Sequence, residues 1–258
     1  MPPPNSRPPM NIRTLSSVAL ALGLLSASTQ AAFHVMQIEQ VIGGVNGDNT
    51  AQAIQLRLRS GGQNVVSNSS LWAADATGGN RVLLLNIGAN VSNSAGGSRV
   101  LMTTAAFDNA MDLGGPAFTP DFILTNAIPA SYLTAGRLTF EADGGTVATP
   151  GTIYWSLSWG GAGYTGSNTG DSTNDADGNF GPAFGSSLPT SSRQGVIFTG
   201  AFSAASTTNL ADYALSANPG TVTRNSGTSF TVVPEPGSAA LIGSFALGAF
   251  AFLRRRRA

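Results

Sequence analysis

An all-β sandwich with long loops is the fold the sequence predicts for residues 32–231, and three observations predict it. Short runs in which apolar and polar residues alternate recur along this stretch, the period of a strand with one buried face. Gly, Asn, Ser and Pro clusters separate the runs, as turns between strands require. No segment carries a strong helical period, so sheet must pack on sheet.

The runs follow in order. Phe33–Ile42 is apolar enough for a core strand, and Gly43–Asn49 breaks it. In Ala53–Arg59, Ile54, Leu56 and Leu58 alternate with Gln55, Arg57 and Arg59, predicting a half-buried strand that ends at the Gly61-Gly62 turn. Arg81–Ile87 and Arg99–Thr104 read as interior strands, followed by Asp121–Thr125 and Arg137–Ala142. Thr152–Trp159 alternates most clearly, with Ile153, Trp155, Leu157 and Trp159 on one face. Val196–Phe202 follows, and Thr221–Val232 reads as a hairpin turning at Asn225-Ser226-Gly227.

The stretch Phe33–Val41, with Ile54-Gln55-Leu56 and Gly62-Gln63-Asn64 after it, resembles the opening of lamin-tail-type domains. Gln55 stands where that pattern has an acid, and Leu71-Trp72 matches its last element loosely. The resemblance implies an immunoglobulin-like sandwich serving as an interaction module.

Both chain ends read as targeting segments. Met10–Arg13 supplies a basic region, Val18–Leu25 an apolar one, and Ser28–Ala32 small residues. A signal peptide over 1–31 is expected, with cleavage after Ala31 and Met10 as an alternative start. An extended linker over 232–236 carries Pro234-Glu235-Pro236, whose prolines forbid helix. Gly237–Leu253 is 17 residues without a charge. As a helix it spans roughly 25 Å, the short end of a membrane crossing. Arg254, Arg255, Arg256 and Arg257 then form a basic tail over 254–258, which the positive-inside rule keeps cytoplasmic, with the body outside. The tail resembles the PEP-CTERM sorting signal of exopolysaccharide-producing Gram-negative bacteria. That resemblance implies processing by an exosortase after transient anchoring in the inner membrane, then release to the cell surface.

A formal net charge of zero hides an acidic body. Residues 32–231 hold seven arginines against twelve acids and no lysine, which argues against nucleic acid as a partner. No cysteine is present, excluding disulfides and thiol nucleophiles. The single histidine, His34, has no base–nucleophile constellation in the sequence around it. Glu39, Glu141 and Asp143 are the acids that could pair as glycosidase groups.

The loop Asp171–Asn179 concentrates oxygen ligands. Asp171, Thr173, Asp175, Asp177 and Asn179 alternate around Gly178, a donor set suited to calcium. But Phe184 stands where an EF-hand-like loop places its bidentate Glu, and a solvated Asn/Asp/Gly loop is the reading this incomplete set favours. Trp155, Trp159, Tyr164 and Phe180 bracket that loop. They read either as core or as a platform for sugar rings. No catalytic residue is assigned. The expectation is a non-enzymatic exported surface or matrix protein with exopolysaccharide as a possible partner; a calcium-assisted carbohydrate-binding module is the alternative and a hydrolase the third reading.

Overall fold

The computed structural model describes residues 33–112 and 118–232, together with Met1. The chain divides into two compact units, Met1–Ala31 and Ala32–Ala258, and every element described belongs to the second. It is all-β in character, with twelve strands, two short α-helices and three single-turn 3-10 helices among the described residues.

One sheet has six strands. Its centre is β1 (Met36–Ile42), β2 (Ala53–Leu58) and β5 (Arg99–Thr103); β9 (Val196–Phe198) and β10 (Tyr213–Leu215) extend one edge, and β6 (Phe122–Ile123) closes the other. The second sheet runs β4-β3-β7-β8, from β3 (Ser69–Ala74), β4 (Val82–Ile87), β7 (Gly136–Ala142) and β8 (Ile153–Trp159). All pairings are antiparallel except β5 with β6. Met36, Ile38, Ile54, Leu56, Val100 and Met102 of the first sheet share one buried cluster with Leu71, Leu138, Phe140, Trp155, Leu157 and Trp159 of the second. The two sheets therefore close on a common apolar layer, as period-two faces must.

Across that layer the Trp155 Nε1–H donates to the Tyr213 hydroxyl at 2.8 Å, and the hydroxyl donates to the Ile38 carbonyl at 2.6 Å. Burial pushes the Tyr213 phenol well above its ordinary pKa. A large aromatic pair is thus placed inside a core without an unsatisfied polar end.

A second, smaller core lies on the outer face of the six-stranded sheet. Ile42, Ala53 and Leu101 point outward and meet Phe107 and Met111 of α1 (Ala105–Asp112). Phe118, Val222, Phe230 and Val232 complete the cluster. The last three come with the hairpin of β11 (Thr221–Thr223) and β12 (Ser229–Thr231), with Gly227 in the left-handed region at φ +86° in its turn. Val232, fully buried, is held by its N–H to the Gly220 carbonyl at 2.9 Å.

Several expectations are corrected. The polar side of β2 is covered in part: Gln55 is buried under the terminal hairpin, whereas Arg57 and Arg59 stay partly exposed. Ile153 leaves the face of Trp155, Leu157 and Trp159, because the register slips between Phe140 and Glu141. Tyr154 packs instead against Phe33 and Phe140. Helix α1 was not expected from periodicity; its start is fixed by Thr104, whose hydroxyl accepts the Phe107 N–H at 3.2 Å. The strands expected at Asp121–Thr125 and Val196–Phe202 shorten to β6 and β9, and β3 and β10 form where no strand was expected.

Candidate functional site

The expected ion loop folds as a chain of side-chain-to-backbone turns. The Asp171 carboxylate accepts from the Thr173 amide at 2.8 Å and from its hydroxyl. Asp175 accepts from the amides of Asp177 and Asn179, and Asp177 accepts from Asn179 at 2.9 Å. Asn179 in turn accepts from Gly181 at 3.2 Å. These bonds direct carboxylate oxygens at local amides. Among the described residues no three His, Cys, Asp or Glu gather as a metal-holding group. Asn174 is fully buried and pins the loop to the sandwich, donating to the carbonyls of His34 and Tyr154 and accepting from Arg59. Asp175 keeps a buried Oδ2 without a hydrogen bond. Burial, and then the neighbouring Asp177 side chain, raise the Asp175 pKa, whereas the neighbouring Asp175 side chain lowers that of Asp177.

The aromatics around this loop face inward. Trp155, Trp159 and Phe180 are fully buried and Tyr164 nearly so, so they present no open ring to a sugar. His34 lies beside Tyr154, ring centres 5.8 Å apart. The three acids weighed as a glycosidase pair are scattered. Glu141, on β7, is fully buried, ion-paired with Arg81, and accepts from Thr139 and from the Gly151 amide at 2.9 Å. Asp143 is exposed on a turn. Glu39 belongs to the other sheet.

At Glu39 the structure builds something the sequence did not announce. A bulge between Ile38 and Gln40 shifts the register of β1 against β2. Re-aiming side chains is what a bulge does, and here Glu39 meets the outward residues of β2 and β5. Arg57 and Arg99 stand directly opposite one another in the β2–β5 register, an unfavourable placement for like charges. Glu39 lies between them. Its carboxylate accepts from Arg57 at 2.8 Å, from Arg99 at 2.6 and 2.9 Å, and from the Gln55 amide at 2.6 Å. Gln55 accepts the Thr223 N–H at 2.6 Å, coupling this cluster to the terminal hairpin.

The hairpin tip is anchored beside it. The Asn225 side chain accepts the Asn93 N–H at 2.7 Å and donates to the Arg99 carbonyl at 2.9 Å. The Asn225 N–H donates to Asp121, whose carboxylate also accepts from Leu101. Burial raises the Asp121 pKa, with those two amides and the Arg224 charge pulling the other way. A cleft of 390 Å³ opens between hairpin, strand ends and a loop, and Arg57, Arg99, Arg224 and Phe202 line it. This is within the ~300–1,000 Å³ typical of ligand sites. Sequence reading missed it because its arginines are far apart in the chain; the polar alternation of β2 was the one local signal.

The residues proposed for targeting (Ala31, Pro234, Glu235, Pro236 and Arg254–Arg257) and the expected membrane span lie outside the described residues. Among the described residues no helix is long and apolar enough to cross a membrane. An all-β domain thus ends its described course at Val232. Residues 232–257 match the family model of the PEP-CTERM protein-sorting motif. The chain therefore carries the mark of an exported protein targeted by an exosortase. No curated protein and no solved structure matches it.

Proposed function

We propose that this chain delivers a non-enzymatic, immunoglobulin-like binding domain to the surface or extracellular matrix of an exopolysaccharide-producing Gram-negative bacterium. A signal peptide would direct export, the tail would hold the body on the outer side of the inner membrane, and exosortase would remove the tail near Pro234. The observation that carries this reading is the position of Val232. It is buried in the second core, and the motif match begins at that residue. Cleavage near Pro234 would leave the β11–β12 hairpin and its packing in the second core in place.

The strand order supports the immunoglobulin-like part. First, second and fifth strands share one sheet, while third, seventh and eighth lie together in the other with the fourth at their edge. That is the A-B-E and C-F-G arrangement of such sandwiches, with β6 added at one edge of the first sheet and β9 and β10 at the other. A binding rather than catalytic role is supported by Glu39 and Glu141, whose carboxylates are engaged by guanidinium groups. Intact-mass analysis of the extracellular protein tests the proposal. A form running from near Ala32 to near Pro234 is expected; extracellular protein still bearing Arg254–Arg257 would refute it.

Calcium-assisted carbohydrate binding remains a second reading on one observation, the buried Asp175 Oδ2 without a hydrogen bond beside Asp177. On that reading calcium raises the melting temperature and chelator lowers it. An unchanged melt across millimolar calcium removes it.

A further inference from the structure

We propose that the Arg57–Arg99–Arg224 cleft binds a carboxylated saccharide, with a uronate carboxylate on the guanidinium groups and a sugar ring face on Phe202. This deepens the reading of the domain as a binding module and rests on it.

Charge comes first. Within residues 32–231, acidic overall, three of seven arginines line this one cleft. Glu39 and Asp121 oppose them, leaving a single positive charge. One carboxylate seated in the cleft balances that charge, the other uronates of a longer chain lying outside it in solvent. A phosphate dianion would place two charges in the cleft itself, beside the Glu39 carboxylate.

The free donors come next. Arg57 uses Nε on the Gly97 carbonyl and one terminal nitrogen on Glu39. Arg99 uses Nε and one terminal nitrogen on Glu39. Arg224 bonds Ser226 and Thr119. Each guanidinium thus keeps one terminal nitrogen outside these bonds, and Glu39 and Gly97 hold two of the three in place. One such nitrogen from each of two guanidinium groups can donate charge-assisted hydrogen bonds to the two oxygens of a carboxylate, and preorganised donors lose less entropy on binding.

The remaining wall suits a sugar. Phe202 is 38% exposed, the only phenylalanine among the exposed large apolar residues described. Its ring rests on the Gly96–Gly97 backbone, where a side chain at Gly96 would reach within 3.2 Å of it. Arg57 lies 5.5 Å from the ring centre. Asn93, Thr223 and Ser229 add amide and hydroxyl groups around the rim. An apolar platform, a polar rim and a cationic end together fit a ring with C–H faces, hydroxyls and one carboxylate.

The test is calorimetric titration of the full chain in detergent micelles with trigalacturonate, maltotriose, sodium galacturonate, sodium acetate and inorganic phosphate. Trigalacturonate is expected to bind saturably, free galacturonate more weakly, and maltotriose, acetate and phosphate not measurably. Arg224→Gln, at a half-exposed position, should weaken binding about tenfold, and Phe202→Ala about fivefold or more. Arg193→Gln, outside the cleft, should change it less than about twofold, and circular dichroism confirms that each variant is folded. No saturable binding of either uronate overturns the proposal. So does equal binding of maltotriose, equal binding of acetate or phosphate, or indifference to both cleft variants. Failure of the export reading shows separately, as a retained tail in the intact mass, and leaves this titration unaffected.

Discussion

At the scale of single residues, polar groups sunk in apolar surroundings are where this domain is most sensitive. Tyr213 is such a group: its hydroxyl is the only acceptor shown for the Trp155 indole N–H and also donates to the Ile38 carbonyl. Tyr213→Phe keeps the ring but strands that N–H, so it should cost about 1–3 kcal/mol in urea unfolding; a loss below ~0.5 kcal/mol would show the bridge to be idle. The aspartates of the 171–179 loop make a second prediction, about pH. Thr173 lowers Asp171, whereas burial and Asp177 raise Asp175, from a common 3.8. Asp171 therefore adds stability present above pH 3.8 and lost as pH falls through its folded pKa. Asp175 does the opposite, losing its contribution as pH rises through its raised value. Carboxyl-carbon NMR titration should find Asp175 midway above 3.8 and Asp171 and Asp177 below it; the reverse order would contradict the geometry. Alternating oxygen residues were legible in the sequence. Which amides they would serve was not, because backbone direction decides it.

At the scale of elements, the terminal hairpin is the piece on which most else depends. It buries Val222 and Val232 against Leu101 and α1, and brings Arg224 to the cleft. Its tip is held by Asn225, a buried amide bonded to Asn93, Arg99 and, through its backbone, Asp121. Asn225→Ala should loosen the tip at a cost of about 1–3 kcal/mol. Hydrogen exchange at Val222 and Val232 should accelerate while that at Leu138 and Leu157 stays slow; uniform acceleration would mean the hairpin and sandwich unfold together. The hairpin itself was legible from Asn225-Ser226-Gly227 and its flanking alternation. Its docking place was not, since the matching surface is made by Ile42, Ala53 and Leu101 on three different strands. The bulge opposite Glu141 is similar. Thr152–Trp159 alternates cleanly in sequence, yet one extra residue between paired strands turns Ile153 away from the core.

At the scale of the whole molecule, the terminal hairpin packs into the second core up to Val232, the residue where the sorting-motif match begins. Ending the chain after Val232 keeps both cores whole, so its melting temperature should match that of the longer chain within about 2 °C. Ending it before Thr221 uncovers Ile42, Leu101 and Phe107 and should lower the melting temperature by about 10 °C or leave the protein insoluble. Equal melts for the two truncations would show that the second core adds nothing. By itself the sequence determined the all-β class, the β1, β2, β4, β5, β7 and β8 strands, the terminal hairpin and the sorting motif. Each of these is written in local periodicity, turn residues or contiguous segments. Only the tertiary structure decided that Gln55 on the polar face of β2 is covered, that Trp155 and Trp159 of β8 are core rather than a sugar platform, and that Arg57, Arg99 and Arg224 converge on one cleft. Those features depend on strand order and on a one-residue slip in register, which gather side chains remote in the chain and carry no local period of their own.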